Sequence, residues 1–218
     1  MNKILELNIQ EKIYKRKGEM RSLLQNFSLD LTFGERIAIV GRSGAGKSTL
    51  LNILGLLDRK YNGSYTLFGK STNEMSLTEF AKWRNEKIGF VLQESALINS
   101  MTIEDNIKLP LLYGKAHKET LRTDFMSIAQ GIDIMHILNK KPLECSGGER
   151  ERAVFARAVI MNPTLLLCDE PTASLDPENK ERILSLLDKM NKDSGTTIIT
   201  VTHDMDVAER HDKIIRIE

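Results

Sequence analysis

The chain has 218 residues, and its 41% hydrophobic and 28% charged residues are ordinary for a soluble globular enzyme. The formal charge of +1, from 31 basic and 30 acidic residues, argues against the clustered positive charge of nucleic-acid-binding proteins. No segment approaches the roughly 20 apolar residues that a membrane-spanning helix needs, and the N-terminus lacks the apolar core of a signal peptide.

The first part of the chain predicts strands that lead to a loop and a helix. Residues 4–9 carry apolar side chains in the manner of a strand, and residues 23–31 alternate with period two. Residues 36–40 form a nearly continuous apolar run, which favours a strand buried on both faces in a parallel sheet. A glycine-rich loop follows, and then a predicted helix over residues 47–57.

The last part predicts two more buried strands, over residues 164–168 and 197–201, with a helix over residues 177–191 between them. Asp176 is suited to cap that helix, and Pro177 to occupy its first turn. Alternation of strand, helix and strand predicts a parallel α/β sheet.

The middle of the chain, residues 93–161, predicts helices and no strand. Thr102 is suited to cap a helix, and Asp105 answers it at the position of a capping box. Further helices are expected over residues 117–129 and 132–138. The pattern therefore predicts a helical insertion between two halves of an α/β core.

The most specific motif is a phosphate-binding loop of the form G-x-x-x-x-G-K-[ST], which follows a predicted strand and opens a helix. Backbone N–H groups and the helix N-terminus can bind phosphates there. We expect Lys47 to reach the β- and γ-phosphates of a nucleotide and the Ser48 hydroxyl to bind Mg²⁺. The expected nucleotide-binding residues are Gly41, Arg42, Ser43, Gly44, Ala45, Gly46, Lys47, Ser48 and Thr49.

Two acids, Asp169 and Glu170, end the predicted strand that begins at residue 164. An acid at the carboxyl end of a strand beside a phosphate-binding loop is placed for the magnesium shell, which favours Asp169 as a metal ligand. The acid that follows it is placed to polarise an attacking water. A solvated strand end would carry the same two residues, so the pair alone leaves both interpretations open.

A pair of adjacent glycines, Gly147 and Gly148, lies in residues 146–149, before another predicted helix. Ser146 and Glu149 have the spacing of a capping box, which needs no ligand. The bare N–H groups of Gly147 and Gly148 equally suit a second anion site. Because one chain already holds its phosphates at Lys47, such a site would serve the nucleotide of another chain, which points to a dimer.

Taken in order, these motifs resemble the nucleotide-binding domain of ABC transporters over nearly the whole chain. The resemblance implies a single α/β domain of the P-loop NTPase class. A RecA-like core with an antiparallel β subdomain would span residues 1–92 and 162–218, and a helical subdomain with the signature motif would span residues 93–161. The matching positions are residues 41–48, Gln93, Ser146, Gly147, Gly148, Glu149, Asp169, Glu170, Ser174, Leu175, Asp176 and His203.

The resemblance also implies roles for single residues. Tyr14 would stack on the adenine, although an aromatic side chain before a charged turn also packs without a ligand. Gln93 would contact the magnesium shell and the water, and Glu170 would be the general base. His203 would contact the γ-phosphate, although a lone histidine is more often a surface residue. The loop that crosses the dimer would contain Ser174, Leu175 and Asp176.

Residues 52–58, 88–93 and 101–113 resemble the lipoprotein-release and macrolide-export branch, which includes small ATPases of bacteriocin or antimicrobial-peptide export. This implies the ATP-hydrolysing subunit of a membrane exporter for a hydrophobic, peptide or lipoprotein-like substrate. ATP and Mg²⁺ would be its cofactors, and ATP binding would form a homodimer. It would be cytoplasmic, held at the inner face of the membrane by separate permease subunits. The alternative is a non-transport ABC ATPase with a signalling or cell-division partner at the membrane.

Two cysteines, Cys145 and Cys168, occur without metal-ligand spacing, as expected of a reduced cytosolic protein. Cys145 stands where the family usually has leucine, directly before the signature helix. We expect a lowered pKa and a reactive thiol at that position. Cys168 lies in an apolar strand and is expected to be inert.

The segment after Gln93 is the expected contact with a permease. Residues 96–101 would line a cleft for a short cytoplasmic helix, with Leu97 and Ile98 facing the partner. Leu109 and Leu112 would instead pack into the core of the helical subdomain.

Overall fold

A computed structural model of the chain describes residues 3–16, 19–92, 96–114 and 118–217. The strands are β1 (Lys3–Arg16), β2 (Glu19–Thr32), β3 (Arg36–Gly41), β4 (Asn62–Leu67), β5 (Lys70–Ser71), β6 (Ile88–Val91), β7 (Leu165–Asp169), β8 (Thr197–Val201) and β9 (Lys213–Ile217). The helices are α1 (Lys47–Leu54), α2 (Leu77–Glu86), α3 (Ile103–Lys108), α4 (Lys118–Gly131), α5 (Gly147–Val159), α6 (Pro177–Ser194) and α7 (Met205–Ala208). Among the helices of these ranges, none is long and apolar enough to cross a membrane.

A five-stranded parallel sheet in the order β6-β7-β8-β3-β9 forms the centre of the fold. Strands β7 and β8 are buried along their whole length, which explains their continuous apolar sequences. Because all the strands run the same way, the residues that follow β3, β7 and β8 meet at one edge of the sheet. The predicted parallel α/β sheet is confirmed.

This sheet separates two hydrophobic cores. Leu165 and Leu167 of β7 face a core shared with α1 and β1, whereas Leu166 and Cys168 face a core shared with α3, α5 and α6. The alternation follows from the period of two in a strand that is covered on both faces.

A second, four-stranded antiparallel sheet, in the order β2-β1-β4-β5, covers one face of the core. The side chains that β1 turns inward, including Ile4, Leu7 and Ile9, are at most 2% exposed and pack in the same core as α1. Apolar alternation in the first part of the chain thus serves an antiparallel β layer, as expected.

Helices α3, α4 and α5 build the segment between β6 and β7, and in its described part that segment has no strand. Thr102 caps α3 by accepting a hydrogen bond from the Asp105 backbone N–H, as predicted. The fully buried Asn106 fastens the preceding loop, because its Oδ1 accepts from the Ile98 backbone N–H (2.7 Å) and its Nδ2 donates to the Ile98 carbonyl (3.1 Å). The exact limits of a helical subdomain at residues 93 and 161 stay a prediction.

Some predicted helix limits are wrong. Helix α1 ends at Leu54 rather than at residue 57, because the chain turns at Gly55 and Leu56 adopts a left-handed φ of 61°. The helix predicted over residues 132–138 is replaced by a single 3-10 turn, Met135–Ile137. Asp133 has a left-handed φ of 55°, which interrupts any α-helix there.

The helix predicted over residues 177–191 is confirmed, but it continues to Ser194 and stops at Gly195, which has a left-handed φ of 66°. As predicted, Asp176 caps it through the Asn179 backbone N–H, and Pro177 occupies its first position.

The apolar side chains of the segment after β6 are arranged differently from the expectation. Leu97 is only 9% exposed and belongs to the core, whereas Ile98 is 42% exposed. Leu112 and Tyr113 are 74% and 77% exposed, so Leu112 does not pack into the core as expected. The reason is a short 3-10 turn, Leu109–Leu112, which follows α3 and turns these last residues outward.

Candidate functional site

The loop between β3 and α1 is shaped by left-handed glycines. Gly44 and Gly46 have φ values of 80° and 90°, a region that side chains with a Cβ rarely adopt. A Cβ on Gly46 would also lie 3.0 Å from the carbonyl oxygen of Leu23. The ammonium of Lys47 donates hydrogen bonds to the carbonyls of Gly41 (2.8 Å) and Arg42 (2.9 Å), which holds it across the loop.

Asp169, at the carboxyl end of β7, faces this loop. Burial raises the pKa of its carboxyl group, and a hydrogen bond with the Ser48 side chain opposes that increase. A carboxylate and a hydroxyl group, both oxygen ligands, therefore lie together at the start of α1. This is the kind of ligand that Mg²⁺ prefers.

Glu170 adopts a left-handed φ of 50° and is tied to the neighbouring strand, since its backbone N–H donates to the Val201 carbonyl at 2.9 Å. Its Oε2 accepts a hydrogen bond from the Thr202 hydroxyl at 3.2 Å, and its Oε1 lies 2.8 Å from His203 Nδ1. The hydrogen bond with Glu170 raises the pKa of the His203 ring. The carboxylate is therefore held by two residues that follow β8.

These groups line one open cavity of about 440 Å³, within the size range of small-molecule sites. Its lining consists of Leu23, Gly41, Ser43, Gly44, Gly46, Lys47, Ser48, Thr49, Asp169, Glu170 and His203. The structure thus brings the loop, the two acids and the histidine together at one edge of the parallel sheet, as the sequence predicts.

Other predicted residues do not line this cavity. Ala45 packs against the core beneath the loop, and Arg42 lines a neighbouring cavity with Met205. Tyr14 lies on β1 with a 55% exposed side chain, so its adenine contact stays a prediction. Gln93 lies outside the described residues.

The signature residues 146–149 form the start of α5. Ser146 Oγ accepts from the Glu149 backbone N–H (3.2 Å), and the Glu149 carboxylate accepts from the Ser146 backbone N–H (2.6 Å), so the predicted capping box is confirmed. A Cβ on Gly148 would lie 3.3 Å from Leu175 Cδ2, which places the segment of Ser174, Leu175 and Asp176 beside it. Together these two motifs form a second surface of the same chain.

Three contacts at these sites were not predicted. Leu23 closes one wall of the cavity, Thr202 holds Glu170, and His136 lies 3.0 Å from Glu149 Oε1. Thr202 had a local signal, because it directly precedes His203. Leu23 and His136 had none, since both reach their sites through the pairing of distant segments.

The expectation of a lowered pKa for Cys145 is wrong. The side chain is only 6% exposed, and burial and the nearby Glu149 carboxylate raise the pKa of its thiol. Its Sγ donates to the Lys141 carbonyl at 3.4 Å. Cys168, fully buried in β7, has a pKa raised further by the same cause and matches the expectation of an inert thiol.

The arrangement fits a nucleoside triphosphate with a divalent cation. The loop offers backbone N–H groups, a helix N-terminus and the Lys47 ammonium to phosphate oxygens. Ser48 and Asp169 offer oxygen ligands to Mg²⁺. Glu170 and His203 line the same cavity.

Comparisons with known proteins agree with this geometry. A family model described as ABC transporter matches residues 24–173. The uncharacterized ABC transporter ATP-binding protein YvrO of Bacillus subtilis is 38% identical, covering 98% of this chain and 93% of that protein. MJ0796 of Methanocaldococcus jannaschii, described in the same words, is 37% identical, covering 99% and 93%. The macrolide export ATP-binding/permease protein MacB of a Shewanella species is 36% identical, covering 99% of this chain and 33% of MacB.

Two solved structures of MJ0796 have the same fold. A dimeric, post-hydrolysis structure bound to ADP and Pi has a TM-score of 0.91 at 36% identity, covering 98% of this chain and 94% of that chain. Another dimeric structure has a TM-score of 0.90 at 37% identity with the same coverage. The chain therefore belongs to the ABC transporter family and is an ABC ATPase, which confirms the resemblance drawn from the sequence.

We predict that neither thiol reacts rapidly in the folded protein, because burial raises the pKa of both Cys145 and Cys168. Brief exposure to N-ethylmaleimide near neutral pH should leave both unmodified in the intact-mass spectrum. The same exposure in urea should modify both and serves as the control. Fast native labelling of Cys145 that ATP suppresses would contradict this.

We predict that the two histidines after β8 have pKa values shifted in opposite directions. The bond with Glu170 raises the pKa of His203 above 6.5, whereas burial lowers that of His211 below it. His203 therefore favours the folded state at low pH, and that contribution is lost as the pH rises through its raised pKa. His211 opposes folding as the pH falls through its unfolded value.

Histidine NMR titration measures both values, with assignments from His203→Gln and His211→Gln. Glu170→Gln should lower the pKa of His203 and leave His211 unchanged as the internal control. An unaltered His203 titration in that variant would show that Glu170 is not the cause.

Proposed function

We propose that this ABC ATPase is the ATP-hydrolysing subunit of a membrane exporter, acting on a hydrophobic, peptide or lipoprotein-like substrate through separate permease subunits. The observation that carries the proposal is that two separate surfaces of the chain present groups suited to bind anions. The cavity at Lys47 holds one set, and the start of α5 at Gly147 and Gly148 presents another. Similarity to the export protein MacB supports transport as the coupled process.

In this proposal the loop binds ATP and the sheet edge supplies the catalytic groups. Lys47 leaves its two carbonyl acceptors to contact the β- and γ-phosphates, while the loop N–H groups bind the remaining oxygens. Ser48 and Asp169, with Gln93, hold Mg²⁺. When bound, Mg²⁺ neutralises charge that develops on the phosphates. Tyr14 stacks on the adenine.

Glu170 acts as the general base in the same scheme. Thr202 and His203 form hydrogen bonds with its two oxygens at the cavity wall, so the carboxylate is already positioned before the nucleotide binds. It accepts a proton from the water whose oxygen bonds to the γ-phosphorus, while the bond from that phosphorus to the bridging oxygen breaks and ADP leaves. The raised pKa of His203 favours its protonated form, which suits contact with the γ-phosphate.

The second anion site completes the cavity of another copy. In a closed two-fold dimer, Ser146, Gly147 and Gly148 of each chain would contact the nucleotide held by the other. The segment of Ser174 to Asp176 lies beside Gly148 and would cross the dimer with it. The dimeric structures of MJ0796 support such an assembly.

Hydrolysis reopens the dimer, and the helical segment transmits the motion to the permease as a population shift. The docking surface proposed here differs from the one expected from the sequence, because Leu97 is buried. Its candidate residues are the exposed Ile98, Leu112 and Tyr113, and Tyr113 together with residues of α2 lines an open groove of about 610 Å³. A short cytoplasmic helix of the permease would occupy it and hold the ATPase at the inner face of the membrane.

The test of the enzyme mechanism is Glu170→Gln. Loss of the base should reduce ATP hydrolysis by at least the ~10²-fold typical of general-base removal. Nucleotide binding should remain, because the loop is unchanged, and an ATP-bound dimer should accumulate on size exclusion. Lys47→Ala is the control that should lose nucleotide binding itself. Turnover of Glu170→Gln near the wild-type rate would contradict the assignment.

The test of the permease surface is Ile98→Asp, since a charge there adds desolvation cost to the contact without entering the core. ATPase activity of the isolated subunit should remain near the wild-type value. Co-purification with its permease should fall by at least about tenfold, as expected for an interface anchor.

Ile214→Asp on β9 is the matched control, because Ile214 is similarly exposed (37% against 42%) and lies on another element. It should leave the complex intact. If Ile98→Asp co-purifies as well as Ile214→Asp, the docking surface lies elsewhere.

A further inference from the structure

Glu149 places a negative charge at the start of α5, where the proposed function brings the phosphates of another chain's nucleotide. A carboxylate in the first turn stabilises an isolated helix. It also repels an incoming phosphate and competes with it for the N–H groups of Gly147 and Gly148. The signature site therefore depends on where that carboxylate is held.

The carboxylate of Glu149 is held by two contacts. Its Oε2 accepts from the Ser146 backbone N–H at 2.6 Å, and its Oε1 lies 3.0 Å from His136 Nε2. The side chain of Glu149 is 17% exposed and that of His136 is 52% exposed, so the ring is the more exposed partner of the pair. The bond from Ser146 lowers the pKa of Glu149 most, and His136 and the charge of Lys140 add to it. The group is therefore a fixed carboxylate.

The end of α5 next to this pair is open at Gly147. Apart from its chain neighbours and its own helix, a Cβ built on Gly147 would meet no described atom within 4 Å, whereas one on Gly148 would lie 3.3 Å from Leu175 Cδ2. The first N–H groups of any helix lack partners within it. A released Glu149 carboxylate would compete for these groups, but the capping box fixes one of its oxygens and His136 the other.

His136 itself is rigidly placed. It lies in the 3-10 turn Met135–Ile137, whose neighbours Ile134 and Ile137 are fully buried. The Ile137 backbone N–H donates to the Ile134 carbonyl at 3.1 Å, which closes the turn. The turn that replaced the expected helix therefore presents His136 to α5 on a packed base.

We infer that His136 is a positioning residue for the signature site, which holds the Glu149 carboxylate at the Ser146 N–H so that it does not compete with phosphate for the N–H groups of Gly147 and Gly148. The inference rests on the proposed dimer. Nε2–H donation to Oε1 keeps Oε2 on the Ser146 N–H. A merely structural role would make His136 a surface contact that stabilises the capping box, with no effect on the partner's nucleotide.

The experiment measures ATP-driven dimerisation by analytical ultracentrifugation in the Glu170→Gln background. His136→Ala should weaken dimerisation about three- to tenfold, the scale of a partly exposed charged hydrogen bond. His136→Gln should restore it, because its amide nitrogen can donate in place of Nε2. Binding of a fluorescent ATP analogue to the monomer should be unchanged in both.

A Glu149→Gln partner completes a double-mutant cycle. A neutral amide does not repel phosphate wherever it lies, so adding His136→Ala to Glu149→Gln should not weaken dimerisation further. An equal loss in both backgrounds would show a structural role and overturn the inference. If the Glu170→Gln protein dimerises with ATP and His136→Ala does not change this, only this inference is overturned. If the Glu170→Gln protein stays monomeric with ATP, the proposed dimer is overturned as well.

Discussion

The parallel pairing of β7 with β8 and of β8 with β3 is the constraint on which the site depends. Buried backbone groups must be hydrogen-bonded, so these strands cannot shift register without leaving polar groups unpaired. Their carboxyl ends are therefore fixed relative to one another. Three different strands lead to these residues: β3 to Lys47, β7 to Asp169 and β8 to His203. The hydrogen-bonded ladder of the sheet places all three around one cavity. A side-chain substitution in the cavity leaves that ladder intact.

The fixed edge of the parallel sheet also has an electrostatic consequence. The sheet edge buries Asp169 enough to raise its pKa, while Lys47 and the N-terminus of α1 provide positive charge close by. Lys47 donates hydrogen bonds to two loop carbonyls, and the hydrogen bond with Ser48 opposes the effect of burial on the pKa of Asp169. In the proposed function, phosphate and cation would replace these internal contacts.

The sequence predicted what depends on local rules and missed what depends on packing. The glycine-rich loop, the paired acids and the caps by Thr102, Ser146 and Asp176 follow from spacing alone, and the structure has them. The thiol of Cys145 was misjudged because its distance from a helix N-terminus is a sequence property, whereas its burial is not. The structure also adds β4, β5 and α2 in a stretch where no element was predicted. Leu97 is buried where exposure was expected, and Leu112 is exposed where burial was expected. Both depend on how Asn106 and a 3-10 turn place the chain.

The two helix N-termini of the proposed ATP site differ in a way that suits different tasks. Gly46 precedes α1 with a left-handed backbone, and in the described ranges no side chain caps that helix and its first turn has no acid. In the proposed function, these N–H groups bind the nucleotide of the same chain. Helix α5 is capped by Ser146 and Glu149, a capping box that pairs the N–H groups of these two residues and not those of Gly147 and Gly148. The proposed dimer would therefore use an uncapped helix end for the nucleotide of one chain and a capped one for the contact with the other.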